Sequence, residues 1–127
     1  MERLSGRKLI SGLFRDGRSI QTSFFTIYFG QCEGLETPAR VAISVPRRLF
    51  RKAVARNLLK RRIREAYRLQ KPDFYQRLQD TGKQVCLVII YRKREISGFH
   101  TIRPALLEAL DLLAREMERP ATSTEDP

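Results

Sequence analysis

Tryptophan is absent from this chain, histidine occurs once and cysteine twice. Structural zinc normally takes four Cys/His ligands, and neither Cys32 nor Cys86 belongs to a C-x-x-C pair, so these residues with His100 do not make a zinc site. So few thiols also argue against a disulfide framework and for a reducing compartment. Long apolar runs are missing as well. The longest, Val85 to Tyr91, is far too short to cross a bilayer. The opening MERLSGRKLI lacks the apolar stretch of a signal peptide. The chain reads as soluble and cytoplasmic, with no membrane partner and no small-molecule cofactor.

Catalytic constellations are lacking too. The single histidine has no thiol or serine context for a nucleophilic triad. There is no P-loop, no G-x-G-x-x-G and no H-E-x-x-H. Asp73, Asp80, Glu95, Glu108 and Asp111 are scattered and form no carboxylate cluster of the two-metal kind; Glu108 and Asp111 read as solvent-face residues of one helix. No residue of the protein is expected to be catalytic and none to ligate a metal.

What the chain does have is positive charge in one place. The formal net charge is +11 in 127 residues, enough to favour a polyanionic partner. Eleven of the 25 Lys and Arg, but only one of the 14 acids (Glu65), fall between Arg47 and Lys71. The rest of the chain is close to neutral, so the excess is local rather than compositional.

The length provides one core, and a single domain is expected over 1–118, with RPATSTEDP (119–127) a disordered tail. Leu9, Ile10, Leu13 and Phe14 recur at helical spacing within Ser5 to Asp16. Ser23 to Gly30 reads as a strand with Phe25, Ile27 and Phe29 on one face and Phe24, Thr26 and Tyr28 on the other. Arg40 to Val45 is a second strand, stopped by Pro46. A helix follows from Ala53 to about Gln70, ended by Pro72, and a short separate helical piece is expected over Asp73 to Gln79. Gln84 to Tyr91 is apolar at every alternate position on both sides, as in a central strand covered on both faces. The last helix reaches about Glu118 with a stripe of Leu106, Leu110, Leu113 and Met117, reinforced by Leu107; Pro104 would be tolerated only in its first turn. Strand, helix and strand around the basic segment imply a parallel pair joined by a crossover.

On a helical wheel, Ala55, Leu59, Ile63 and Ala66 gather on a face that packs on the sheet. Arg56, Lys60, Arg64 and Arg68 step along another at i, i+4, with Asn57 and Arg61 beside them. Like charges at that spacing cost a few tenths of a kcal/mol per pair, roughly, in an isolated helix. Phosphates are the partner that would neutralise them, with release of condensed counterions. A solvated charged face is the bland alternative. A membrane-surface helix would need large apolar residues bordering the basic face, and here the apolar face is short and committed to the core. Of the aromatics that could stack unpaired bases, Phe24 is expected to be buried. Tyr28 and Phe14 are the candidates for RNA contact.

The stretch VAISVPRRLFRKAVARNLLKRRIREAYR, Val41 to Arg68, resembles the signature region of the bacterial ribonuclease P protein subunit. That family has a small strand ending in Ser-Val, a basic loop, and a helix carrying R-N-R-x-K-R-x-x-R-E. Here Ser44 and Val45 close the strand, and Arg56, Asn57, Lys60, Arg61, Arg64 and Glu65 match the helix. Arg3 to Ile20 resembles the family's opening helix. The departures are Leu58 at the third place of the R-N-R triplet and Ile10 at the first of two aromatic places, whose second is Phe14. The loop from Pro46 to Lys52 is also one residue longer than in some members.

The resemblance implies an α+β single small domain, an α-β-β-β-α-β-α sandwich with a left-handed strand–helix–strand crossover, similar to a ribosomal-protein domain. Periodicity by itself locates only two of the three strands before the basic helix, and general statistics favour a right-handed crossover. The resemblance further implies two partners, the catalytic ribonuclease P RNA and precursor tRNA, whose 5′ leader is removed; the RNA would hold the catalytic Mg2+. RNA contacts are expected from Arg47, Arg48, Arg56, Asn57, Lys60, Arg61, Arg64 and Arg68, and leader contacts from Phe14 and Tyr28. Two other functions fit the same charge pattern: a structural protein of the ribosome or another RNA particle, and a DNA-binding regulator using helix 53–70 in the major groove. Arg62 lies on the same side as Leu58 and is a candidate to compensate for the missing arginine. Leu58→Arg should then raise RNA affinity and steepen its salt dependence, as measured by titration across a salt series; an unchanged slope would reject the compensation.

Overall fold

The computed structural model describes residues 17–118. The expected helix over Ser5 to Asp16, with Phe14, and the tail 119–127 lie outside them. The described elements are β1 (Arg18–Gln21), β2 (Phe25–Cys32), β3 (Ala39–Ser44), α1 (Ala53–Thr81), β4 (Gln84–Tyr91) and α2 (Phe99–Glu118). They form an α+β domain: a four-stranded mixed sheet, ordered β1-β2-β4-β3, with two helices. β4 runs antiparallel to β2 and parallel to β3, so α1 is the crossover of a parallel pair, as the sequence requires.

β1 is the strand that periodicity missed. Only Ile20 of its four residues packs on the core, so it carries almost no alternating signal. It pairs with β2 through a tight turn in which the Thr22 N–H donates to the Phe25 carbonyl at 2.8 Å and Phe25 N–H returns a bond to Thr22 Oγ1 at 3.1 Å. That turn uses Ser23 and Phe24, which is why β2 begins at Phe25 rather than Ser23. Phe24 packs at the edge of the core, with the Lys93 ammonium 4.8 Å over its ring. β3 ends one residue earlier than expected, and Val45 continues into the core beyond it.

Phe25, Ile27 and Phe29 of β2 and Val85, Leu87, Ile89 and Tyr91 of β4 form one sheet face and are buried under both helices. Their alternates make the opposite face. There Cys86 and Val88 are buried, with Cys32, Leu35, Ala42 and Ile90 packed on them as a second, smaller apolar cluster. β4 is thus largely buried on both faces, Ile90 being partly exposed, although among the described residues the helices cover only one.

α1 does not stop at Pro72. It runs unbroken to Thr81 and takes in the piece expected as a separate helix. An internal proline loses one backbone hydrogen bond and costs ~3 kcal/mol. Pro72 is exposed, and so is Arg68, whose carbonyl the proline leaves without its helical N–H partner. Tyr67 on one side of it and Phe74 on the other stack edge to face at 6.2 Å, and Leu78 is fully buried. Burial of these side chains outweighs the proline. The helix ends at Gly82, whose φ of 72° gives a left-handed cap with its N–H bonded to Gln79 O.

α2 holds a similar correction: Pro104 sits in the second turn, exposed, rather than in the first. The stripe Leu106, Leu110, Leu113 and Met117 is buried as expected, but Leu107 is about half exposed and is not part of it. Asp111 is no mere solvent-face residue either. Arg77 of α1 donates to Asp111 at 2.6 Å and grips Glu118 through Nε and Nη2 at 2.9 and 3.1 Å, and Arg115 adds a 3.1 Å contact to Asp111.

The hydrogen bonds from Arg77 hold the Glu118 carboxyl below its ordinary value of 4.5. A lowered folded-state value means that folding favours the ionised form. The contribution is therefore complete above the unfolded value and lost as pH falls through the folded one. Urea unfolding between pH 6 and pH 3 should show stability falling with acid, and Arg77→Met should flatten the acid part of that profile.

Candidate nucleic-acid interface

α1 begins with Lys52 in extended conformation and no side-chain cap, and its first turn holds no acid. A helix N-terminus already carries about half a positive charge, so stability alone would place acids there. This helix instead puts Arg56, Lys60, Arg61 and Arg64 in its N-terminal half. The cations and the backbone dipole add rather than cancel.

The buried stripe of α1 is Leu59, Ile63, Ala66, Tyr67, Phe74 and Leu78, with Ala55 packed against the core at its start. At 100° per residue, roughly, Lys60, Asn57 and Arg64 line the flank of that stripe on the same side as Tyr75. Tyr75 donates its hydroxyl to Ala39 O of the edge strand β3, which identifies this flank as the β3 side of the helix. Asn57, Arg61, Arg64 and Arg68 are exposed and Lys60 is half-buried.

The expected four-member stack is not uniform. Arg56, its first member, turns inward. Its Nη1 donates at 2.8 Å to both Phe50 O and Arg51 O and so closes the β3–α1 loop over the helix start. Arg68, its last member, is paired with Glu65 through Nε (3.0 Å) and Nη2 (2.6 Å), which lowers the Glu65 pKa from its ordinary value. Lys60 and Arg64 between them make no ion pair among the described residues, and neither does Arg61. Arg62 is directed elsewhere: its Nη1 donates to Ser97 O at 2.8 Å in the β4–α2 loop.

A second feature opens on the sheet face away from the helices. Thr26, Tyr28, Arg48, Ile90, Tyr91 and Arg92 line an open polar cleft of about 280 Å³. Tyr28 stands opposite Val88 in the β2–β4 register, and Ile90 stands opposite Thr26. Arg48 thus joins Tyr28 rather than the helix flank, while Arg47 is exposed on the same loop. Sequence reasoning missed Arg92 and its neighbours Lys93 and Arg94. An R-K-R triplet directly after the apolar strand was the available signal.

Among the described residues no group of three His, Cys, Asp or Glu side chains could hold a metal ion. Asp111, Glu118, Glu65 and Glu116 are each bonded to an arginine, so these four acids serve as counter-ions of this chain.

A family model described as Ribonuclease P matches residues 1–113. The chain belongs to the ribonuclease P protein family. It is accordingly a component of the ribonuclease P holoenzyme and serves tRNA processing. It is 35% identical over 114 residues to the ribonuclease P protein component of Thermotoga maritima, across 86% of this chain and 89% of that one. It is 36% identical over 97 residues to the component from Chlorobaculum tepidum, across 70% of this chain and 63% of that protein. The solved ribonuclease P protein from Thermotoga maritima superposes with a TM-score of 0.67 at 32% identity, covering 91% of this chain and 97% of that one. The four-stranded sheet with its helices is therefore the ribonuclease P protein fold.

The inward turn of Arg56 separates it from its neighbours in an unfolding experiment. Arg56→Ala removes two charged hydrogen bonds from a partly buried loop and should lower the unfolding free energy by about 1–2 kcal/mol. Lys60→Ala and Arg64→Ala should each change it by less than ~0.5 kcal/mol. Urea titration of the three variants checks the contrast.

Proposed function

We propose that this protein grips the catalytic RNA of ribonuclease P with the β3-side flank of α1 and receives the 5′ leader of precursor tRNA in the Tyr28 cleft, assisting endonucleolytic removal of the leader. The carrying observation is the run of cations with no ion pair among the described residues, Lys60, Arg61 and Arg64, on the positive end of a helix that its own core burial holds in place. Asn57 is exposed beside them, and the reading assigns RNA contacts also to Arg47, on the loop before the helix, and to Arg56 and Arg68 despite their internal partners.

The leader reading rests on different chemistry. Tyr28 offers a ring for an unpaired base, and Arg48 and Arg92 line the same cleft with guanidinium groups suited to phosphate. Phe14 belongs to this reading through the family pattern alone. Hydrolysis is assigned to the RNA with its bound Mg2+, and the protein's part is to bind and orient. The β3–α1–β4 crossover is taken as left-handed, following the family. The protein works in the cytoplasm, where its two free thiols stay reduced.

Reconstitution with a bacterial ribonuclease P RNA and precursor tRNA tests this directly. The protein should lower the magnesium needed for cleavage, and the absence of any effect at low magnesium with folded protein would overturn the proposal. Lys60→Ala and Arg64→Ala should each reduce the salt dependence of RNA affinity by roughly one ion. Tyr28→Ala should weaken binding of leader-bearing substrate by about 1–3 kcal/mol and leave mature tRNA unaffected.

A further inference from the structure

Two arginines of α1 donate to main-chain carbonyls of this chain's own loops. Arg56 and Arg62 lie roughly 60° to either side of the buried Leu59 on the helical wheel. Each donates to main-chain carbonyls of a different loop, Arg56 to Phe50 and Arg51 and Arg62 to Ser97. The first loop carries Arg48 and the second begins with Arg92, the two arginines that line the Tyr28 cleft.

The loops are also joined to each other. The Phe50 ring packs 6.1 Å from the ring of Tyr91, and both are buried. The Tyr91 hydroxyl lies 2.7 Å from Glu95 O and from Ser97 Oγ, and accepts from the Ser97 N–H at 3.3 Å. The near end of the second loop is fixed separately. Arg92 N–H donates to Phe24 O at 2.8 Å, and the Arg92 side chain donates to Thr22 O. Its far end, Glu95 to Ser97, has Tyr91 and Arg62 as its holders.

We propose that Arg56 and Arg62 are positioning residues of the leader cleft: α1 uses them to hold the β3–α1 and β4–α2 loops so that Arg48 and Arg92 stand at fixed places around Tyr28. The basic helix thereby couples the grip on the catalytic RNA to the shape of the leader site. Arg62 falls at a variable place of the helix pattern, so this chain has a tether that the pattern itself does not specify. The proposal rests on the cleft being the leader site.

The test uses the reconstituted holoenzyme and two substrates, precursor tRNA with a leader of several nucleotides and tRNA with none. Arg62→Met should weaken binding of the leader-bearing substrate roughly fivefold and change leaderless binding by less than about twofold. Arg62→Lys, which keeps a positively charged donor on a long stem, should recover most of the loss. Amide exchange at residues 95–98 of the free protein should quicken in Arg62→Met and in Tyr91→Phe, which keeps the ring and removes only the hydroxyl.

Equal losses on both substrates, or a reduced salt slope for the catalytic RNA, would make Arg62 an RNA contact and overturn the proposal. Unchanged leader affinity or unchanged exchange in Arg62→Met would overturn it too. Tyr28→Ala separates the two readings. If that variant discriminates by leader and Arg62→Met does not, the tether alone fails. If Tyr28→Ala is itself indifferent to the leader, the cleft assignment fails and this inference with it.

Discussion

Everything in this molecule depends on the burial of one narrow strip of α1. Leu59, Ile63, Ala66, Tyr67, Phe74 and Leu78 are withdrawn from water against the sheet and α2. Each large side chain of that kind is worth about 1.5–3 kcal/mol. Repulsion between neighbouring like charges on the exposed flank costs a few tenths of a kcal/mol per pair, roughly. The strip outweighs the repulsion, and it also carries the helix through Pro72. A helix this poorly suited to standing alone exists because one side of it is core.

The same anchoring gives the two candidate surfaces a common frame. The flank of α1 presents Lys60 and Arg64 beside the edge strand, while the cleft on the far sheet face gathers Tyr28, Arg48 and Arg92. They lie on different elements, yet the crossover makes α1 the direct continuation of β3 and the immediate predecessor of β4. A displacement of α1 would therefore pull on the Arg48 loop through the chain and Arg56, and on the β4–α2 loop through the Arg62 bond to Ser97 O. Cooperation between RNA grip and leader recognition needs no conformational switch in such an arrangement; it needs a stiff connection.

The parts of the fold that were legible in the sequence are those where one physical signal dominates. Alternation at Phe25, Ile27 and Phe29, the doubly apolar Val85 to Tyr91, and the Leu59–Ile63 spacing each reflect burial, and each element is present. Boundaries failed where a local rule competed with packing. Pro72 signalled a stop that the Tyr67–Phe74 contact overrides, and Leu107 matched the helical stripe but lies just outside its arc. β1 was invisible because a four-residue strand with one inward side chain has no period to detect. In the interface, composition identified the basic segment. It could not tell that Arg56 and Arg62 spend their guanidinium groups on main-chain carbonyls, because side-chain direction depends on loops remote in sequence. The grouping of Tyr28 with Ile90 is a product of strand register, and Arg48 reaches them from the β3–α1 loop; single-residue patterns encode neither.

The distribution of ion pairs along α1 has one more consequence. Its C-terminal half is electrically quiet, since Arg77 is matched by Asp111 and Glu118 of α2. Its N-terminal half is not, and the backbone dipole points the same way. The domain is thus a lopsided charge, and a polyanion approaching from any direction exerts a turning moment on it before contact. The protein would arrive at its RNA already facing the correct way, so fewer encounters are wasted on wrong orientations.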